Sequence, residues 1–210
     1  MITLEDVHFS YPKAEHDLID GLSGEILPGE RVAVTGKNGC GKTTLVRLIT
    51  GMLRPSSGRI LIDGDDIAPL DLFEIGKRVG CVFQDPSRQL FCATLDEEVR
   101  YGLVNMGLPE DEIRRRADRY IGFFRLQHRR DAFPGLLSQG EKQRAVLAAV
   151  LAMGPRYIVL DEPTSGLDME AREDLGNALK ELSAEGCGIM FVSHERSFID
   201  RFADREWVMR

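Results

Sequence analysis

The stretch Arg31-Val32-Ala33-Val34-Thr35-Gly36-Lys37-Asn38-Gly39-Cys40-Gly41-Lys42-Thr43-Thr44-Leu45-Val46-Arg47-Leu48-Ile49-Thr50 decides the fold. Residues 31–35 are a short apolar run of the kind that makes a buried strand, and residues 43–50 carry Leu45, Leu48 and Ile49 at helical spacing. Between them, Gly36 to Thr43 satisfies the phosphate-loop pattern G-x-x-x-x-G-K-[ST] in its required setting, strand before and helix after. Polyphosphate needs many N–H donors converging on one point. Glycines at 36, 39 and 41 permit the backbone path that supplies them, and the helix N-terminus adds about half a positive charge. Lys42 is placed for β- and γ-phosphate, the Thr43 hydroxyl for Mg²⁺, and Lys37, Asn38, Cys40 and Thr44 complete the candidate nucleotide-binding loop.

Outward from this loop, Val79–Phe83, Tyr157–Leu160 and Ile189–Val192 are four- or five-residue apolar runs bounded by polar or glycine positions, as central parallel strands require. Between Val79–Phe83 and Tyr157–Leu160 the pattern turns helical. Pro109-Glu110-Asp111-Glu112 suits a helix start, and Ile113, Ala117, Tyr120, Ile121 and Phe124 form one stripe. At the N-terminus Ile2 to Tyr11 alternates, and Asp63-Gly64 sits between apolar residues of 59–67 as a hairpin turn. The expected fold class is α/β: a mainly parallel sheet, a small N-terminal antiparallel part and an inserted helical subdomain. The expected division is a nucleotide-binding core of 1–84 and 152–210 with a helical subdomain of 85–151, all within one domain of 1–210.

Composition narrows the function classes. The chain has 210 residues, 27 Lys and Arg against 34 Asp and Glu, and a net charge of −7. Nucleic-acid backbones demand a basic field, so a general nucleic-acid surface is disfavoured, and the cluster Arg114, Arg115, Arg116 and Arg119 reads as a solvated helix face. The longest apolar run, Ala145 to Met153, is too short to span a bilayer. Any membrane role is therefore expected through a partner, and the absence of a basic-then-apolar leader in the first residues points to the cytoplasm. Cys40, Cys81, Cys92 and Cys187 show no metal-ligand spacing and read as free thiols.

Two further elements carry chemistry. Tyr157 to Leu160 ends in Asp161-Glu162, and in an open parallel sheet both acids emerge beside the phosphate loop. Asp161 suits Mg²⁺ coordination and Glu162 suits polarisation of an attacking water. Leu137-Ser138-Gln139-Gly140-Glu141-Lys142-Gln143-Arg144 is a polar loop leading into an apolar helix read as starting near Glu141. This loop resembles the signature motif of ABC ATPases, and the resemblance covers nearly the whole chain with the elements in the family's order. It implies that Tyr11 stacks on adenine, that Gln84 is the Q-loop glutamine, contacting Mg²⁺ and water, and that Asp161 and Glu162 are the Walker B acids. It further implies that Ser165-Gly166-Leu167-Asp168 is the D-loop and that His194 is the switch histidine.

Such ATPases work as head-to-tail pairs, so the resemblance implies a second ABC ATPase subunit, identical or paralogous. Ser138, Gln139, Gly140 and Glu141 of one subunit would cover ATP on the other. Gln139 and Glu141 depart from the usual L-S-G-G-Q, which leaves catalytic rate open. The stretch Val82 to Val99 looks like the ATPases of energy-coupling-factor and cobalt-type importers. That implies a transmembrane coupling protein with a helix in the groove beside 85–105, a membrane component binding a vitamin or metal ion, and a location on the cytoplasmic face of the membrane. The alternatives are a soluble ABC ATPase acting on nucleic acid or in translation, disfavoured by charge, and a P-loop kinase, disfavoured by the signature loop.

Overall fold

The computed structural model describes residues 1–209. Five parallel strands form the central sheet in the order β6-β7-β8-β3-β9, where β3 is Arg31–Gly36, β6 Val79–Val82, β7 Tyr157–Asp161, β8 Gly188–Val192 and β9 Arg205–Met209. Each of the four apolar runs is a strand here, and β9 adds a fifth at the edge beside β3. A four-stranded antiparallel sheet, β2-β1-β4-β5, lies on one side, built from β1 Ile2–Phe9, β2 Ile19–Ile26, β4 Ser57–Ile62 and β5 Asp65–Asp66. Asp63 and Gly64 both take positive φ in the tight turn joining β4 to β5, as an Asp-Gly hairpin requires.

Side-chain alternation along the central strands separates two cores. Val32, Val34, Val159, Met190 and Val192 face the antiparallel sheet and helix α1 (Lys42–Ile49). Ala33, Val82, Ile158, Leu160, Ile189 and Phe191 face the helices on the other side. The two sheets also meet at their edges: Trp207 of β9 packs so closely over Gly24 of β2 that a Cβ there would lie 2.6 Å from the indole ring.

After the short helix α2 (Leu72–Gly76) and strand β6, the chain from 86 to 152 is helical, with α3 Leu95–Asn105, α4 Glu110–Phe123 and α5 Gln139–Ala152. The expected stripe of α4 is buried, from Ile113 through Phe124. Asp111, Glu112 and Glu181 neutralise Arg114, Arg115, Arg116 and Arg119 in surface ion pairs. The strands β7 and β8 then alternate with α6 (Met169–Ala184) and α7 (Arg196–Phe202). All four cysteines are free. No helix among the described residues is long and apolar enough to cross a membrane.

Candidate functional site

The phosphate loop leaves β3 at Gly36 and enters α1 after Gly41. Both positions need glycine. Gly36 has φ 148 and a Cβ there would lie 2.6 Å from the Met209 carbonyl, while Gly41 has φ 98 and its Cβ would press on Leu18 and Ile19. No side chain caps α1. The amides of Lys42, Thr43 and Thr44 in its first turn therefore have no acceptor among the described residues, and helix geometry aims them outward at the loop. Lys42 Nζ donates to the carbonyls of Gly36 and Lys37, 2.9 Å each, which braces the loop and leaves one of its three donors for a ligand.

The register of the parallel sheet brings the acids to this loop. Asp161 pairs with Val192 at the C-terminal ends of β7 and β8 and is 3% exposed. Burial raises its pKa against the opposing hydrogen bond from the Thr43 hydroxyl and the charges of Arg47 and Lys42. Glu162, one residue on, has φ 52, a left-handed conformation costly for a side-chain-bearing residue. Two backbone bonds hold it there, Glu162 N–H to the Val192 carbonyl at 3.1 Å and Ser165 N–H to the Glu162 carbonyl at 3.1 Å. The turn places its carboxylate 3.3 Å from His194 Nε2. Burial raises the Glu162 pKa, with the His194 charge acting the other way and Asp161 reinforcing the rise.

Asn38, Gly39, Gly41, Lys42, Thr43, Thr44, Gln84, Asp161, Glu162 and His194 line one cleft of about 410 Å³, together with Leu18 and Val192. The sequence-derived residues of loop, acid pair, Q-loop and switch thus meet in a single concavity. Tyr11 stands at its edge: its hydroxyl is 3.1 Å from Thr44 Oγ1 and its ring meets Phe9 edge-on. Lys42 and the open amides are matched to polyphosphate. The hard oxygen donors Thr43, Asp161 and Gln84, with Asp161 buried and free of any ion pair among the described residues, fit Mg²⁺.

Ser138 to Glu141 stand elsewhere, on α5, and none of them lines this cleft. Here the structure corrects the reading of the helix start. The helix begins at Gln139, so Ser138 is its N-cap and Glu141 its third residue. The two form a reciprocal capping box: Glu141 N–H donates to Ser138 Oγ at 3.3 Å, and Ser138 N–H donates to Glu141 Oε2 at 2.8 Å. Arg129 Nε donates to Glu141 Oε1 at 2.8 Å. The bond from the Ser138 amide, then Arg129, brings the Glu141 pKa down to about 2. Gly140 lies against the D-loop, where a Cβ would be 3.0 Å from the Gly166 carbonyl, and Asp168 caps α6 by accepting from Ala171 N–H at 2.8 Å.

Two residues of the importer-like stretch Val82 to Val99, to which the sequence assigns no individual role, hold the Q-loop. Gln89 accepts from Phe83 N–H at 2.7 Å and donates to the Cys81 carbonyl at 2.9 Å, tying the loop to the end of β6. Buried Glu98 accepts from the amides of Phe91 and Cys92, each at 2.8 Å. Behind this brace Phe91 is 66% exposed and stacks edge-on with exposed Tyr101, close to exposed Val104 and Met106 in sequence. Neither role had a local sequence pattern to betray it, because each depends on a loop folding back.

A family model described as ABC transporter matches residues 19–165. The energy-coupling factor transporter ATP-binding protein EcfA of Methanothermobacter thermautotrophicus is 42% identical over the whole chain and 68% of its own length. The cobalt import ATP-binding protein CbiO of Syntrophus aciditrophicus is 41% identical over the whole chain and 75% of its length. Among solved structures, the dimeric post-hydrolysis state of the ATP-binding cassette MJ0796 bound to ADP and Pi superposes with a TM-score of 0.91. It is 28% identical, over the whole chain and 94% of that structure.

Proposed function

Because the chain belongs to the ABC transporter family, as an ATP-binding and ATP-hydrolysing cassette, we propose that it powers an energy-coupling-factor-type importer of a vitamin or metal ion. It pairs with a second ATPase subunit and acts within a membrane transporter complex. The observation that carries the reading is the separation of two phosphate-binding surfaces: the cleft of Gly36–Thr43, Asp161 and Glu162, and the N-terminus of α5, which stands outside it. A second anion-binding helix end has a use when it meets nucleotide on another subunit.

In this account Lys42 and the amides of Gly39 to Thr44 bind the phosphates, and Tyr11 packs on the adenine. Thr43, Asp161 and Gln84 would hold Mg²⁺, which supplies neutralisation of phosphate charge when bound. Glu162 accepts a hydrogen bond from the attacking water, aimed by its left-handed turn, and His194 contacts the γ-phosphate. Ser138, Gly140 and Asp168 close the site from the partner subunit. Gln84 links the cleft to the braced segment of 85–105, where exposed Phe91 and Tyr101 offer an apolar seat for a helix of a transmembrane coupling protein. A further membrane component binds the cargo, and the chain sits peripherally on the cytoplasmic face.

Glu162→Gln tests the catalytic assignment. Turnover should fall at least about 100-fold with ATP binding retained, and ATP should drive the variant into a dimer in size-exclusion chromatography. Near-normal hydrolysis would remove Glu162 from the reaction.

A further inference from the structure

Away from the nucleotide cleft, His8 on β1 stands among three carboxylates. Its Nδ1 lies 3.1 Å from Asp20 Oδ1 and 3.6 Å from Asp17 Oδ2, and its Nε2 lies 3.3 Å from Asp6 Oδ1. Carboxylates alone on a surface are an ordinary solvated face; an imidazole at their centre, with both nitrogens engaged, is a different donor set. No Lys or Arg pairs with Asp6, Asp17 or Asp20 among the described residues, and a single imidazolium would still leave two negative charges uncompensated. With Nε2–H donated to Asp6, a cation taking the place of a proton at Nδ1 would be shared by Nδ1, Asp17 and Asp20.

Their spacing suits a cation. One donor atom each from His8, Asp17 and Asp20 lie within 4.8 Å of one another. Tetrahedral ligands at about 2.1 Å from an ion stand about 3.4 Å apart, between the two distances at Nδ1. Asp6 occupies the outer position from which a carboxylate orients a ligating histidine and raises its basicity. The group opens on a surface hollow lined by Ser10, Glu15, His16, Asp17 and Asp20, which gives an ion access and room for water to complete its shell.

We propose that His8, Asp17 and Asp20 bind one divalent transition-metal ion, of the Co²⁺, Ni²⁺ or Zn²⁺ class, with Asp6 holding the imidazole. Imidazole with carboxylates favours these ions, whereas Mg²⁺ prefers an all-oxygen shell. The ion would tie β1 to the start of β2, through Asp20, and to the residues just before it, where Asp17 adjoins Leu18 of the nucleotide cleft. This goes beyond ATP hydrolysis and does not rest on it.

The test is calorimetric titration of the full chain with Co²⁺, its nucleotide cleft filled with a non-hydrolysable ATP analogue in excess Mg²⁺, followed in parallel by visible absorbance. One equivalent should bind to the wild-type chain and disappear in His8→Ala. It should weaken at least about tenfold in the double variant Asp17→Asn, Asp20→Asn. The double variant changes exposed side chains and decides the matter if His8→Ala fails to fold. Equal Co²⁺ stoichiometry and affinity in the wild type and the double variant, or no Co²⁺ binding by the wild type, would overturn the site.

Discussion

The helix that follows the phosphate loop begins with bare amides, whereas the helix that follows Leu137 begins under a cap of its own side chains. At α1 the first-turn N–H groups, the brace of Lys42 and the bend at Gly36 leave a positive, open concavity. At α5 the Ser138 amide and Glu141 amide are already taken, and a carboxylate sits at the helix end with Arg129 beside it. Only the Ser138 hydroxyl and the amides of Gln139 and Gly140 remain to meet an anion. The difference implies an order of events. On the proposed reading, the first end captures nucleotide unaided, and the second engages a phosphate that the first already holds.

The largest effect that would break this contrast is expected at α1. Lys42→Ala removes a charge-assisted phosphate contact and the loop brace together. ATP affinity of the isolated subunit should fall roughly 100-fold, about 3 kcal/mol, by calorimetry; an unchanged affinity would deny the loop its role. A smaller effect is expected at α5. Glu141→Ala opens the capping box and leaves Arg129 without its partner, so the chain should lose about 1–2 kcal/mol in urea unfolding while the monomer binds ATP normally.

Glu141→Gln keeps a cap acceptor but removes the charge, and this sharpens the contrast through pH. The Glu141 pKa lies below its ordinary 4.5, at about 2. The folded state therefore binds its proton less readily than the unfolded chain, so the carboxylate's contribution is complete above about pH 5 and is lost as pH falls toward 2. Wild-type stability should decline more steeply than that of Glu141→Gln over this interval, and parallel curves would show that the carboxylate is not held by these contacts. The smallest effect is expected at Arg115, paired with Glu112 on the solvent side of α4. Arg115→Ala should leave the urea-unfolding midpoint unchanged, since exposed pairs are screened by solvent and salt.

Short-range pattern made the first of these helix ends readable and left the second half-read. Gly36 to Thr43 carries its chemistry in contiguous residues, and the strands that deliver Asp161, Glu162 and His194 are contiguous apolar runs, so their convergence followed from the rule that ligands lie beyond strand C-termini. The cap of α5 also had a local signature, Ser138 with Glu141 three residues on, but comparison with the L-S-G-G-Q pattern drew Glu141 toward ligand contact and away from helix capping. The polar strand β2 and the edge strand β9 lacked continuous apolar runs. The former is fully buried only at its two ends and the latter is specified by pairing with β3. Gln89 and Glu98 act on backbone six to eight residues away through a folded loop, and the left-handed turn at Glu162 is imposed by Val192 on a neighbouring strand. No local propensity encodes such contacts.

We propose Gly36–Thr43 as one half of an ATP site whose other half is Ser138 and Gly140 of a second subunit. Light scattering of Glu162→Gln, with and without an added Ser138→Arg, in the presence of Mg-ATP tests it most directly. The single variant should form an ATP-dependent dimer, and the double variant should remain a monomer that still binds ATP with the affinity of the single variant's monomer. A dimer that survives Ser138→Arg, or a monomer whose ATP affinity collapses with it, would show that Ser138 does not complete the site from the second subunit.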